Sequence, residues 1–429
     1  MRLTILQPLR RPVLRRLVSA QFLAETGDGI ITVALPLYVF AQTDSATATS
    51  LTFSAQMIAG SVLGVVGGVA ADRFNRQRVL VLAFTARALL LVACAMAGPL
   101  WLTITLGVAA RSLGQLDNPS FDALIPGLAI NDMQQVLAVR RFIQSVSIVV
   151  GPAVGALAVW GFGEQETIAI SAIPFVFAIL IHLRLTGVDA DRADRRAHHS
   201  TAGTRELVSG MTIVLTTPVV RRMVFYWSAS VACVAVAMAA AIIWFTDELE
   251  SPDYWYGLSI SAYGIGAALG LLLVGGMAIR RSVPNVMLAS APVYAISCAM
   301  CVAFEVPWLM AIGWLLWGIA MGPEMVKGEP EFVARIRPEL RGRAFAGVGV
   351  ANTLGMAAGY AVAGPLLDRF GARDVTYGTA VVILLIGTLW IGPARRGLAP
   401  RPIFDEAVEI PRDELVAASL ADRIEHFGH

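Results

Sequence analysis

Lysine is almost missing from this chain: Lys327 is the only one in 429 residues, and every other cation is an arginine. Val326 precedes it and Gly328 follows it, so no G-x-x-x-x-G-K-[ST] phosphate loop exists and an ATP-driven pump encoded in this chain is excluded. Charge of either sign is scarce. Charged residues make up 15% of the chain, against roughly a quarter in an average soluble domain, which excludes an ordinary soluble enzyme. The 56% of hydrophobic residues excludes disorder, and a net charge of +2 leaves too little to hold a nucleic acid. Cysteine is rare too. Cys94, Cys233, Cys298 and Cys301 all lie in apolar runs, and the Cys298-x-x-Cys301 pair has no second ligand pair for zinc, so both read as small buried residues of a membrane helix. No H-E-x-x-H, nucleophile elbow or haem pattern appears, so no metal, cofactor or catalytic residue is expected.

What is present is long apolar runs, in a chain whose mean hydropathy is +0.67. A helix crossing hydrocarbon needs about 20 apolar residues. Twelve runs qualify, near 18–41, 47–70, 79–98, 100–121, 136–160, 168–186, 222–245, 255–279, 284–304, 307–326, 343–367 and 375–394. The five arginines up to Arg16 precede a stretch without a small-residue cleavage site, so it reads as a retained first span. The expected fold is an all-α membrane protein: a six-helix bundle over 1–186, a solvated linker over 187–217, a second bundle over 218–396 and a cytoplasmic tail over 397–429. The linker's His198 and His199 lack a carboxylate or cysteine constellation and read as surface. In the tail, 412–427 reads as one amphipathic helix, outside the transport core.

Arginines concentrate in alternate loops, whereas 42–46, 161–167 and 246–254 carry no Lys or Arg. The positive-inside rule then places both termini in the cytoplasm, with Arg369 and Arg373 as exceptions on the outer side. The halves repeat. Gly67-Gly68 and Gly275-Gly276 close spans 2 and 8, and Gly151-Pro152 and Gly364-Pro365 fall in spans 5 and 11, at a near-constant offset. Duplicated helical halves with a site between them are a transporter architecture.

The loop between spans 2 and 3 reads Gly68-Val-Ala-Ala-Asp72-Arg73-Phe-Asn75-Arg76-Gln77-Arg78. It resembles motif A of the major facilitator superfamily, G-x-x-x-D-R-x-G-R-[KR], with Asn75 for the glycine and Gln77 for a basic residue. Asn tolerates a left-handed backbone, which would keep the tight turn. Val150-Gly151-Pro152-Ala-Val-Gly155-Ala156 is similar to the antiporters' G-P-x-x-G-G motif and puts a bend at Gly151 and Pro152. Asn118-Pro119-Ser-Phe-Asp122-Ala-Leu-Ile-Pro126 and Pro338-Glu-Leu-Arg341-Gly342-Arg343-Ala-Phe resemble the branch of macrolide-efflux proteins and the enterobactin exporter. The resemblance runs to about residue 396. It implies the major facilitator fold in a bacterial cytoplasmic membrane, alternating access and proton-coupled drug efflux, with antibiotic resistance as its setting. It also implies a cytoplasmic lock of Gly68, Asp72, Arg73, Arg76 and Asp122, in which Asp72 meets the N-terminus of span 11 and Arg76 reaches Asp122.

Charge inside a membrane is costly, about 2.5–3.5 kcal/mol at a helix centre on insertion scales, so each instance needs a reason. Glu25 and Asp28 share one face of span 1 and form a candidate proton-carrying pair, with ion pairing to an arginine as the alternative. Arg87 in span 3 and Arg111 in span 4 are the cationic counterparts. Arg111 stands where the superfamily's antiporters carry a proton-coupling arginine, although Gly114 falls one position early for R-x-x-x-G. A purely structural pairing of Arg111 with Asp117 or a backbone carbonyl is the alternative. Glu324 and Lys327 read as charges at headgroup level or as a cavity pair. Tyr38, Gln56, Gln144, Tyr226, Trp227, Tyr263 and Asn352 are candidate cavity residues. The expected partners are a small-molecule substrate, protons and membrane lipid, with no nucleic acid, and a monomer is expected. A mostly apolar and aromatic interior favours export of amphiphilic compounds over transport of a specific metabolite, siderophore or lipid. A membrane receptor or scaffold and an intramembrane enzyme are the readings from other classes.

Overall fold

Within hydrocarbon a backbone must satisfy its own N–H and C=O groups, and apolar runs of this length do so as helices. The computed structural model describes residues 9–391 other than 74, 118–119, 122–123, 125–132, 186–209, 213, 276–282 and 337, and the backbone alone at 65–73, 133–134, 219, 275, 284 and 339. No strand occurs among the described residues. The helices are α1 (Pro12–Thr43), α2 (Ala46–Arg73), α3 (Arg76–Met96), α4 (Leu100–Leu113), α5 (Met133–Phe162), α6 (Glu164–Ile170), α7 (Ile173–Leu183), α8 (Pro218–Ile243), α9 (Tyr254–Gly275), α10 (Val283–Ala303), α11 (Pro307–Ala334) and α12 (Arg341–Leu385). Nine helices among the described residues are long and apolar enough to cross a membrane; α6 and α7 together make one of them.

Local chemistry sets the ends. Pro12, Pro218 and Pro307 open α1, α8 and α11, where the missing N–H costs nothing. Asp44 closes α1 in a left-handed conformation (φ 49°), its N–H returning to the Phe40 carbonyl. Gly371 (φ 78°) divides α12 into two limbs, 341–370 and 372–385, which line one groove, so the chain doubles back there. That single element therefore holds the run expected at 343–367 and the first part of the one expected at 375–394. Glu248 accepts the Ala372 N–H and caps the second limb.

Helices of 12–183 pack among themselves, as do those of 218–391, and two seams join the sets: α2 along the first limb of α12, and α5 along α9. The helix ends divide by charge. Arg16 donates to the Arg184 carbonyl on a face that also holds the starts of α3 and α8. Asp44, Glu164, Glu248, Glu250, Asp253, Glu305, Asp368 and Asp374 occupy the opposite ends, among which Arg369 and Arg373 are the cations. These are called the basic and acidic faces below.

Candidate functional site

The charges expected inside the first bundle form one cluster, and its centre is Arg87. This guanidinium is 1% exposed and bonds Asp28 of α1 on one nitrogen and Asp117, just beyond α4, on another. Its Nε donates to the Ala110 carbonyl at 3.1 Å, and its plane lies 4.2 Å from the Phe175 ring centroid. A planar fork with five donors suits two carboxylates and a carbonyl where an ammonium would not. Gly114 has its reason here, since a Cβ would stand 3.1 Å from the guanidinium carbon and nitrogens. Arg111 reaches Asp28 more loosely, at 3.3 Å to Oδ1 and 3.0 Å to the carbonyl, and donates to Gln56 Oε1 at 3.3 Å. Arg87, not Arg111, is thus the partner of Asp117.

One turn before Asp28, Glu25 accepts from Gln21 at 3.1 Å, while its Oε2 is buried with no hydrogen-bond partner. Ser147 of α5 is buried alongside it, its hydroxyl beside the Glu25 carboxyl. The α1–α5 crossing that brings these together depends on paired glycines. A Cβ on Gly29 would lie 2.5 Å from the Gly151 Cα, and one on Gly151 2.7 Å from the Gly29 Cα. Gly151 is therefore a contact point, next to Pro152, which lies inside α5.

The second bundle holds a separate buried carboxyl. Glu324, expected as readily at headgroup level, is 7% exposed inside α11. It accepts from Tyr226 at 3.1 Å and from Ser290, and makes no ion pair among the described residues, so Lys327 is not its partner. The expected end of that span falls mid-helix, because α11 continues to Ala334. The other cavity candidates scatter. Tyr38 and Tyr226 are buried in packed clusters. Gln56 serves Arg111, Asn352 accepts from Ser228 at 3.0 Å, and Tyr263 donates to Met321 Sδ at 3.0 Å. Trp227 packs against Gly328 and Phe332. Gln144 is half-buried on α5.

Contacts across the two seams gather toward the acidic face. Asp368, near the end of the first limb of α12, accepts the Ala46 N–H at 2.9 Å, the Thr47 N–H at 3.2 Å and the Thr47 hydroxyl at 2.5 Å. One bundle's carboxylate thereby caps a helix of the other, where both orphan donors and helix dipole favour an anion. About two turns further in, Phe53 stacks on Tyr360 at 4.6 Å between centroids, and Ser54 donates to the Ala357 carbonyl at 3.0 Å. On the second seam Ser261 donates to the Val149 carbonyl at 2.8 Å, and Trp160 meets Tyr254 edge-on. Asp253 lies against Glu164 beside that pair; burial and then the neighbouring carboxyl push Asp253 up to about 6. Toward the basic face, a Cβ added at Gly349 of α12 would meet nothing within 4 Å.

Of the expected lock, Asp122 and the side chains of Gly68, Asp72 and Arg73 lie outside the described residues, and Arg76 is half-buried at the start of α3. The tail and the linker histidines also lie outside them. Asn75 corrects the expected turn. It is extended (φ −64°, ψ 115°), not left-handed, and its Oδ1 accepts the Arg78 N–H at 2.8 Å as an N-cap. Gln77, in place of a basic residue, donates to the carbonyls of His182 (2.7 Å) and Leu185 (2.8 Å) and ties α3 to the end of α7. Cys298 and Cys301 are free and buried in α10.

Comparison with known proteins bears on this architecture. The model of the Major Facilitator Superfamily matches residues 17–252 and 236–423. The chain is 28% identical over 417 residues to the multidrug efflux pump Tap of Mycobacterium tuberculosis, covering 91% of this chain and 96% of that protein. It is 24% identical over 397 residues to macrolide efflux protein A of Streptococcus pyogenes, covering 86% and 93%. The crystal structure of the nucleoside transporter NupG shares its fold with a TM-score of 0.75 at 16% identity, over 89% of this chain and 98% of that one.

Proposed function

The chain belongs to the Major Facilitator Superfamily and is a multi-pass protein of the cell membrane, and from that premise we propose that it is a secondary active transporter exporting small amphiphilic or drug-like compounds in exchange for protons. Its twelve spans form two bundles, 1–186 and 218–396, joined by the 187–217 linker, with the basic face and both termini in the cytoplasm. The relatives that efflux drugs and macrolides support the substrate class, as does the confinement of the buried carboxyls and arginine to two clusters.

The observation that carries the reading is the ionic cluster on α1. Asp28 is held by two cations of unequal grip, one buried and bidentate between carboxylates, the other 3.3 Å away and 21% exposed. Arginine stays charged at accessible pH, so Arg111 acts by approach and withdrawal. When it leaves Asp28, negative charge on the α1 face is less compensated and a proton is taken up there or on the unpartnered oxygen of Glu25; when it returns, the proton is released. Tied to rocking of the bundles, that exchange couples proton entry to substrate exit. The crowded acidic-face seams match the conformation open to the cytoplasm. The opposite conformation is latched by Gly68, Asp72, Arg73, Arg76 and Asp122, as the motif resemblance implies.

The test is flux in proteoliposomes under an imposed pH gradient, with a panel of macrolides, tetracyclines and amphiphilic dyes. The intact protein accumulates at least one compound against its gradient. Asp28→Asn abolishes that accumulation and leaves binding, and Glu25→Gln gives a similar or milder loss. Accumulation undiminished in both single variants and the double variant would defeat this proton assignment. Absence of any flux would defeat the transporter reading in favour of a receptor or scaffold.

A further inference from the structure

The first limb of α12 turns two stripes to different neighbours. Ala357, Tyr360, Gly364 and Asp368 face α2. Val362 and Leu366, on the far side of the helix, face away from the other bundle and are 55% and 37% exposed. Between that stripe, α8 and the second limb runs an open groove of about 600 Å³, within the roughly 300–1,000 Å³ of small-molecule sites. Its lining is apolar and small along α8 (Ala229, Ala232) and at Gly378, with Val382 at its edge. Gly378 is exposed, and a Cβ there would meet nothing within 4 Å. In a membrane this groove opens onto hydrocarbon, not water.

Its dimensions and its mouth identify what fills it. From Ala358 to Phe370 the helix rises about 18 Å at 1.5 Å per residue, close to half of a hydrocarbon core about 30 Å thick. The groove thus spans one leaflet, the one on the acidic face. Phe370 and Asp374 stand at its mouth. Arg369 lies 5.2 Å above the Phe370 ring and forms no ion pair among the described residues. Arg373, the other cation of this face, is already engaged with Glu305 at 3.7 Å and the Val302 carbonyl at 3.3 Å. Arg369 therefore offers an exposed guanidinium over Phe370, at the same end of the groove as the exposed Asp374.

We infer that this groove binds a zwitterionic phospholipid of the acidic-face leaflet, one acyl chain lying along α8 and α12, the phosphate on Arg369 and the ammonium toward Asp374. The paired charges at the mouth discriminate against an anionic headgroup, which Asp374 repels. The occupant fills space between α8 and the helix that carries the Asp368 cap, so it supports that seam from behind. The inference rests on membrane residence and not on transport direction or proton coupling.

The experiment uses the purified full chain, delipidated in detergent, then exposed to dioleoylphosphatidylcholine or dioleoylphosphatidylglycerol and examined by native mass spectrometry and thermal unfolding. The wild type retains one phosphatidylcholine per chain in preference to phosphatidylglycerol, and its Tm rises with that lipid. Gly378→Leu, which fills the groove with a residue better suited to a helix than glycine, loses the bound lipid and the Tm rise. Arg369→Gln, on the surface, retains about tenfold less phosphatidylcholine and, with Asp374 in place, still disfavours phosphatidylglycerol. Equal retention in wild type and Arg369→Gln, a preference for phosphatidylglycerol, or no lipid on the wild type overturns the inference. So does displacement of the lipid by an amphiphilic dye such as ethidium, which would make the groove an entry path for transported compounds.

Discussion

The Asp368 cap makes the conformational balance measurable. In this structure Asp368 bonds two backbone N–H groups and a hydroxyl at the start of α2. All three bonds cross between bundles and so exist only while the acidic face is shut. Losing an N-cap side chain costs about 0.5–2 kcal/mol, and the charge at the helix dipole contributes about 0.3–1 kcal/mol of such effects. Asp368→Ala therefore weakens the shut state by about 1–2 kcal/mol, a factor of roughly 5–30 in population. Asp368→Asn keeps an acceptor and loses the charge, for a factor of about 2–5 from the dipole alone. The assay is double electron–electron resonance between spin labels at Gln42 and Pro252, both exposed on the acidic face, with the four buried cysteines replaced by serine or alanine. The wide-separation fraction rises in the order wild type, Asn, Ala. Asp247→Ala, which removes an exposed carboxylate of the same face that lies outside the lipid groove, leaves it unchanged. A distribution indifferent to Asp368→Ala, or shifted equally by Asp247→Ala, refutes the latch.

Three further outcomes are expected. Gly151→Ala places a methyl where only 2.7 Å separates it from the Gly29 backbone; overpacking of about 1–3 kcal/mol lowers the Tm, measured by differential scanning fluorimetry, more than Gly349→Ala does. Arg87→Leu leaves Asp28 and Asp117 without their shared partner, a loss of about 3–5 kcal/mol, and folded yield on size-exclusion chromatography falls more sharply than for Arg111→Leu. The Asp253 carboxyl binds its proton more tightly in the shut conformation than its ordinary value of 3.8 allows, so protonation favours that conformation and the effect is lost as pH rises through about 6. Spin-label distances should accordingly widen between pH 5 and pH 7.5, and Asp253→Asn should flatten that profile.

How far the sequence carried this picture depended on the range of each interaction. The helical runs and the charges Glu25, Asp28, Arg87 and Arg111 were legible because hydrocarbon makes every buried charge conspicuous. The pairing was not. Span patterns cannot say which of two arginines meets Asp117, since that depends on how α3 and α4 rotate. Glu324 looked peripheral because the apolar run thins near 326, whereas the helix itself runs on to Ala334. Asn75 was read through the glycine it replaces, and its capping role depends on the Arg78 N–H three residues on. Asp368 gave no local signal at all. It sits beyond its apolar run and caps a helix 322 residues away.

The Arg87 cluster also constrains how the chain is made. Asp28, Arg87 and Asp117 reach the membrane in that order, on α1, on α3 and just beyond α4. Each is a burden to its own helix until its partner arrives. α3 is apolar enough to enter alone, but after α3 the nascent chain holds an arginine matched by Asp28 only. α4 leads directly to Asp117. Its delivery brings the carboxylate that completes the set, so the first four spans settle into the bilayer as one electrostatically closed unit. A ribosome stalled between α3 and α4 would leave an incompletely neutralised guanidinium in the lipid, an intermediate for membrane quality control to recognise.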